Sequence, residues 1–364
     1  HLRPASSANT ANTANTATNN MPLFPPTRKE ALTRIEAVQP AEYARTRNAL
    51  NGAVTQLSPY ITHGFVSLPE VLAGVRAQHA VKPQDKLLFE LGWREYYRHV
   101  WQHRGDGIFE SLHEGVLPDS AYADQIPADI LQACTGIAAI DMAVKTLYGT
   151  GYLHNHARLW LASYLVHMRK VHWRVGAEWM YSHLIDGDIA SNHLSWQWVS
   201  GTGSHKPYLF NADNVALYAP ELWHSPQTVI DKPMEIIDMI ARSRATFTQS
   251  LSKFAPVEEP PLFVQPPAVA DLVASGVAAE KLVGRDVWWI HPWAISDQTP
   301  AQLPADILPI AACWQGWTEQ HPWSEARWRF VGKGMNDVAS HCWFESDERL
   351  MAMFAGAKSV HVWD

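Results

Sequence analysis

No run of about 18 consecutive apolar residues occurs in the 364-residue chain, so the sequence offers no membrane-spanning helix. A basic segment leading into an apolar stretch is also missing at the start, and no secretory signal is expected. Cysteine is scarce. Cys134, Cys313 and Cys342 are odd in number, too few for a disulfide framework, and one short of an all-cysteine iron–sulfur or zinc site. These absences point to a soluble protein of a reducing, cytoplasmic compartment with no iron–sulfur cluster. Surplus basic charge is lacking too: 29 Lys and Arg stand against 36 Asp and Glu, a formal net charge of −7. A general nucleic-acid coat, which needs excess cations for phosphate contacts, is disfavoured. A local basic groove on an acidic body stays open.

What the chain has instead is tryptophan, 17 residues against 11 Tyr and 11 Phe. So many large rings with a single N–H donor each suggest stacking surfaces or redox relays in addition to core. The hydrophobic fraction, 47%, is enough for a sizeable core, and the length allows two or three domains.

Residues 1–20, with their repeated Ala-Asn-Thr triplet, are nearly devoid of apolar side chains, and disorder is expected. Residues 21–254 read as helical: apolar positions recur at three and four in Leu68–Val75, Leu87–Trp101, Ile137–Leu147, Ala157–His172 and Met234–Phe254, separated by glycine. Residues 255–284 open with five prolines, which suggests an extended linker. Residues 285–364 hold nine of the tryptophans and change texture. Short strands are expected at Val287–Ile295, Ile307–Cys313 and Ser359–Trp363, and helices at Ala326–Val338 and Glu348–Phe354. The fold class is therefore mainly α, an all-helical domain followed by a small α/β domain.

Four segments could carry chemistry. Thr55-Gln56-Leu57-Ser58-Pro59-Tyr60 is a polar turn into a helix, where backbone N–H groups could meet an anion; Ser-Pro is equally an ordinary helix start. In Glu90-Leu91-Gly92-Trp93-Arg94, residues 90, 93 and 94 share a helix face. A carboxylate, an indole and a guanidinium together suit a planar heteroaromatic ligand, though a packed Trp flanked by ion pairs has the same spacing. In Gly151-Tyr152-Leu153-His154-Asn155-His156-Ala157-Arg158, Asn155 and Arg158 share a face. His154 and His156 point apart and cannot chelate one metal; His99 and His103 have suitable spacing but no third ligand. In Asp186-Gly187-Asp188 through Asn192 to Trp196-Gln197-Trp198, two acids among apolar neighbours are better explained by a bound polar group than by surface. The partial Asp-x-Asp pattern lacks the rest of a calcium loop.

Together, Trp93–His99, Thr150–Arg158, His172–Trp179 and Leu184–Trp198 match, in order, motifs of the FAD-binding helical domain of the photolyase/cryptochrome family. The resemblance covers residues 25–220 and fades toward 255. It implies FAD as cofactor, with Tyr43, Thr55, Gln56, Leu57 and Ser58 along its diphosphate and ribityl portion. Gln56 stands where members often have Arg. Arg94 would reach the cofactor, Arg158 and Asp186 would pair beside a folded FAD, Asp188 would bind it, and Asn155 would lie between cofactor and cavity. Asn192 would face flavin N5. Electrons would be supplied through Trp196 and Trp173, with Tyr122, Trp179 or Trp160 as outer candidates.

For repair, the resemblance implies that Glu90 hydrogen-bonds flipped-out damaged bases while Trp93 and Trp198 stack on them. Asn155 and Leu159 are not the histidines of (6-4) members, so a cyclobutane pyrimidine dimer is the expected substrate. The implied activity is blue-light-driven, FAD-dependent dimer cleavage by electron transfer, with single strands preferred, by a monomer acting on UV-damaged DNA. The alternative is a cryptochrome-like photoreceptor without repair. The α/β antenna domain that members carry ahead of the FAD domain is expected to be absent.

Overall fold

The computed structural model describes residues 23–249 and 254–363; the low-complexity segment 1–20 lies outside them. The helical part runs α1 (Arg28–Glu36), α2 (Pro40–Thr46), α3 (Ser58–Thr62), α4 (Leu68–Arg76), α5 (Lys86–Arg104), α6 (Ala128–Leu131), α7 (Ala138–Thr150), α8 (Asn155–Ser163), α9 (Trp173–His183), α10 (Ile189–Ser200), α11 (Ala212–Tyr218) and α12 (Met234–Arg242). Among the described residues, no helix is long and apolar enough to cross a membrane. Helix starts follow local chemistry. Thr27 caps α1, Ser67 and Glu70 form a reciprocal capping box on α4, and Asp188 caps α10 through the Ser191 amide.

Two helices are shorter than their apolar periodicity suggests. The pattern Ala157–His172 breaks at Ser163, where Tyr164–Met168 widens into a π-turn; Lys170 then turns left-handed, φ 54°. The pattern from Met234 stops at Arg242, and the chain turns back so that the Phe247 amide reaches the Met168 carbonyl at 3.0 Å.

The C-terminal part holds β1 (Leu262–Phe263), β2 (Asp286–Ile290), β3 (Leu308–Trp314), α13 (Gln315–Gln320), β4 (Trp323–Ser324), α14 (Glu325–Val338), β5 (Cys342–Glu345), α15 (Asp347–Ala355) and β6 (Ser359–Val362). Four strands form a parallel sheet in the order β5-β3-β2-β6, with Val287 opposite Leu308 and Val360, and Ala311 opposite Cys342. The strand expected over Val287–Ile295 ends at Ile290, because Pro292 has no N–H to offer a ladder. The proline-rich segment is tied down: β1 pairs with β4, and its Phe263 carbonyl accepts from the Trp328 indole at 3.0 Å.

Both sheet faces are covered, as parallel sheets require. Val287, Ile310, Ala312 and Trp343 pack with Leu350 and Met353. Trp288, Ile290, Ala311 and Cys313 face the other way and share one core with Tyr60, Phe65 and Tyr181 of the helical part. The junction is close. Phe330 of α14 lies 5.9 Å from Tyr60 and 5.5 Å from Phe65 by ring centroid, and buried His63 sets one ring nitrogen 2.6 Å from Pro292 O and the other 2.8 Å from Ile185 O.

Candidate functional site

α8 starts at His154, whose Nδ1 accepts from the His156 amide while Nε2 sits 2.9 Å from the Arg47 carbonyl. Burial pushes this imidazole down to about 4. His156 packs on Trp160 and Tyr218. Both histidines therefore build the helix start. Their role is to aim Asn155 and Arg158 at a cavity of about 370 Å³, which Tyr43, Ser58, Glu90, Arg94, Asp186, Asp188, Ser191, Asn192 and Trp196 also line.

An ion pair organises the cavity. Arg158 donates from Nη2 to Asp186 Oδ2 at 2.7 Å and from Nε to the Leu153 carbonyl at 2.8 Å, with its guanidinium 5.3 Å from the Tyr152 ring centre. Asp186 Oδ2 also accepts from Ser58 Oγ at 2.5 Å, and its backbone carbonyl from Thr62 Oγ1 at 3.1 Å. The Asp186 side chain is 2% exposed, the Arg158 side chain 25%. Burial by itself would raise the Asp186 carboxyl, but the Arg158 charge and hydrogen bond, then Ser58, outweigh it and hold the group below its ordinary value.

The depressed carboxyl sets the sign of a pH effect. The stabilisation is complete above the unfolded-state pKa of about 3.9 and is lost as pH falls through the lower folded value. Retention of bound flavin is expected to stay level from neutral pH to about 5 and to collapse in stronger acid. Fluorescence of released FAD against pH checks this; Asp186→Asn should remove the acid limb by weakening binding at every pH.

The remaining polar groups are oriented by backbone. Arg94 Nη1 donates to Thr62 Oγ1 at 3.1 Å. Asn192 Nδ2 donates to the Ala177 carbonyl at 2.8 Å, which leaves its amide oxygen for a ligand. Glu90 lies 3.8 Å from Arg47 Nε. Burial, followed by the Glu90 charge, pushes the Tyr43 phenol up to about 12.

Three residues expected along the diphosphate, Thr55, Gln56 and Leu57, do not line the cavity. Leu57 is buried as core. Gln56 adopts φ 51° and turns toward α1, where its side-chain and backbone oxygens both accept from Arg34 at 3.3 Å. Of that turn only Ser58 reaches the cavity. Trp93 and Trp198, 39% and 40% exposed, sit on α5 and α10, which pack together, and lie outside the lining. Phe89, Tyr96 and Tyr97 surround Trp93, and Tyr208 stacks near Trp198 at 5.6 Å.

The aromatic relay candidates divide. Trp196 lines the cavity and packs on Gly176, where an added Cβ would come within 2.3 Å of the ring. Trp173, on the same helix as Gly176, is buried with its N–H on Ser111, and His172 stands between it and half-buried Tyr122, at 5.7 and 6.3 Å. Trp160 is fully buried with its N–H on Asn214, and Trp179 donates to Glu259 at the other end of α9.

One residue was invisible to sequence reasoning. Arg327 of α14, fully buried, donates to the Gly187 carbonyl at 2.7 Å and the Tyr181 carbonyl at 3.4 Å, and is sandwiched by the Tyr181 and Trp323 rings at 4.6 and 4.5 Å. A Cβ on Gly187 would lie 2.5 Å from its Nη1, so only glycine fits between the two acids. The contact spans 140 residues and carries no local sequence signal.

The donor set fits FAD. Asp186 Oδ1 and Ser191 Oγ are buried with no hydrogen-bond partner among the described residues, although both residues line the cavity. Uncompensated burial of such groups is costly. A flavin, with hydrogen-bonding edges on a planar ring, can meet these atoms together with Arg94, Arg158 and the Asn192 oxygen.

Known proteins resemble the chain over much of the same region. Residues 87–245 match the FAD-binding domain of DNA photolyase. The chain is similar to deoxyribodipyrimidine photo-lyase of Streptomyces griseus, 30% identical over 210 residues, which are 54% of this chain and 46% of that protein. It is also similar to cryptochrome DASH of Idiomarina loihiensis, 31% identical over 169 residues, 44% of this chain and 38% of the relative. Among solved structures, Synechocystis cryptochrome aligns with a TM-score of 0.48 at 27% identity, over 54% of this chain and 44% of that one. The chain thus spans less than half the length of these relatives.

Proposed function

We propose that the chain repairs cyclobutane pyrimidine dimers in DNA under blue light, with single strands preferred; the match of residues 87–245 to the FAD-binding domain of DNA photolyase and the similarity to photo-lyase and cryptochrome DASH relatives support this reading. FAD, held by Arg94, Arg158, Asp186, Asp188 and Asn192, supplies the photoexcited electron donor when bound in its reduced form. Asn155 lies on the substrate side of the cofactor. Trp196, Trp173 and Tyr122 are the proposed relay that reduces the cofactor.

One observation carries the reading. The Glu90 carboxylate lines the flavin cavity, and the same helix and its packed neighbour expose Trp93 and Trp198 to solvent. Exposed indoles are expensive as surface and useful as stacking platforms for extruded bases; a carboxylate beside them can accept from a base N–H. A single strand avoids the unpairing cost that a duplex imposes, which suits a body with net charge −7 and few phosphate-binding cations to spare.

The test is dimer loss under blue light from single-stranded and duplex oligonucleotides with FAD-loaded, reduced protein. Trp93→Ala is expected to weaken binding of the damaged strand about 5- to 150-fold, the equivalent of ~1–3 kcal/mol of stacking. Glu90→Gln should lower repair at saturating substrate by at least tenfold and leave flavin content unchanged. Photoreduction of the flavin with no dimer loss in either substrate would overturn repair in favour of a photoreceptor.

A further inference from the structure

Helix α5 has 19 residues, and Leu87 is its one buried side chain. A helix shaped by the core alone keeps its large apolar rings inward. Here Phe89, Trp93 and Tyr96 are 53%, 39% and 55% exposed, and their spacing of four and three residues puts them on one face. Phe89 and Tyr96 each meet the Trp93 ring almost at right angles, with centroids 6.0 and 5.5 Å away. Rings so arranged brace one another and still leave much of their area in solvent. Contiguous apolar area of this kind marks an interaction site.

Two further features of this face bear on what it meets. Gly92 lies between Phe89 and Tyr96 along the helix, and a Cβ placed on it would meet nothing within 4 Å. No packing contact requires a glycine there, although glycine weakens a helix interior. What it leaves is a notch where another chain can approach the backbone closely. Lys86 and Arg104 stand at the two ends of the face, about 27 Å apart along the axis. Lys86 Nζ sits 5.3 Å from the Phe89 ring centre, and neither cation forms an ion pair among the described residues. Glu90, a carboxylate on this side of the helix, turns into the flavin cavity toward Arg47. Stacking faces in a row, an open notch of backbone and a cation at each end match an extended polyanion of aromatic units, not an apolar protein surface.

We propose that this face of α5 is a binding strip for the undamaged single-stranded DNA on either side of the extruded dimer. Bases flanking the dimer stack on Phe89 and Tyr96, the sugar–phosphate backbone crosses the helix at Gly92, and Lys86 and Arg104 each hold a phosphate. Resting on the reading of damaged single strands as substrate, the strip adds a contact that tolerates any sequence, because every base has a face to stack. A duplex cannot use it, since its bases are already stacked on one another. The single-strand preference thereby gains a source in the fold, in addition to the avoided cost of unpairing.

Fluorescence anisotropy of a labelled oligothymidylate without any dimer, titrated in the dark with FAD-loaded full-length protein, tests the proposal apart from photochemistry. Phe89→Ala and Tyr96→Ala should each weaken binding about fivefold or more. Lys86→Gln should lower the slope of log affinity against log salt by about 0.7, the share of one phosphate on a single strand; loss of packing alone would not move that slope. Gly92→Leu should raise the urea midpoint, since leucine favours the helix and its Cβ meets no neighbour, and yet weaken strand binding about fivefold or more. Leu217→Ala, at an exposed apolar position on α11, should bind like wild type. Wild-type affinity in both Phe89→Ala and Tyr96→Ala, as when this face meets another protein, overturns the proposal, and so does an unchanged salt slope in Lys86→Gln. Strand binding with these losses but no repair under light would sustain the strip and overturn only the repair reading. Repair without such losses would do the reverse.

Discussion

Arg158→Met is expected to yield protein with less than a tenth of the wild-type flavin and with an apo fold about 3–5 kcal/mol less stable, the usual cost of removing one partner from a buried pair. The cost is high because Asp186 is the more deeply buried partner and cannot turn to water. Its Oδ2 would keep only Ser58, and its Oδ1 has no hydrogen-bond partner among the described residues to begin with. Lysine should not rescue, since one ammonium cannot reproduce the planar fork that reaches both the Leu153 carbonyl and the Asp186 carboxylate. Adding Asp186→Asn should restore part of the stability by removing the stranded charge, yet leave flavin absent. Absorbance near 450 nm relative to protein, together with urea unfolding of the apo forms, reads both effects. Wild-type flavin content in Arg158→Met would show that the pair is scaffolding alone.

Arg327→Met separates two quantities that usually move together. Methionine is close in volume to the arginine stem and removes a buried cation whose desolvation is costly, while it strands the Gly187 and Tyr181 carbonyls at about 1–3 kcal/mol each. The two effects oppose each other, so the change in fold stability should be small. Flavin affinity should fall at least tenfold, because Gly187 loses the donor that fixes its carbonyl, and the two carboxylates flanking it lose a nearby positive charge. The flavin dissociation rate is the sharper readout, as the turn need only open for the cofactor to leave. An unchanged rate in a correctly folded variant would show that the Asp186–Asp188 turn holds itself.

Much of the site is local in sequence, and that part was legible. Asn155 and Arg158 fall on one helix face because they are three residues apart, and Asp188 caps α10 because a carboxylate three residues before an amide can do so. The helix boundaries at α4, α5 and α7 follow apolar periodicity for the same reason. Illegible features depend on distant partners. Gln56 turns away from the cavity because Arg34 sits opposite it, and the π-turn after Ser163 replaces a helix that the apolar pattern would have continued. The strand β5 was missed because four residues carry no measurable period, and the Pro-rich segment looked like a spacer because pairing with Trp323 and Ser324 leaves no mark in its own composition.

The Arg327–Gly187 contact has a consequence for biosynthesis. The two residues are 140 positions apart, and at roughly 5–20 residues per second the ribosome adds Arg327 some 7–28 s after the glycine it must clasp. During that interval the nascent helical domain can assemble its helices but not lock the turn between its two acids. Cofactor met at this stage can be held only loosely and exchanged. Tight capture is deferred until α14 has emerged and packed on the turn, which makes flavin retention depend on a segment made well after the cavity itself.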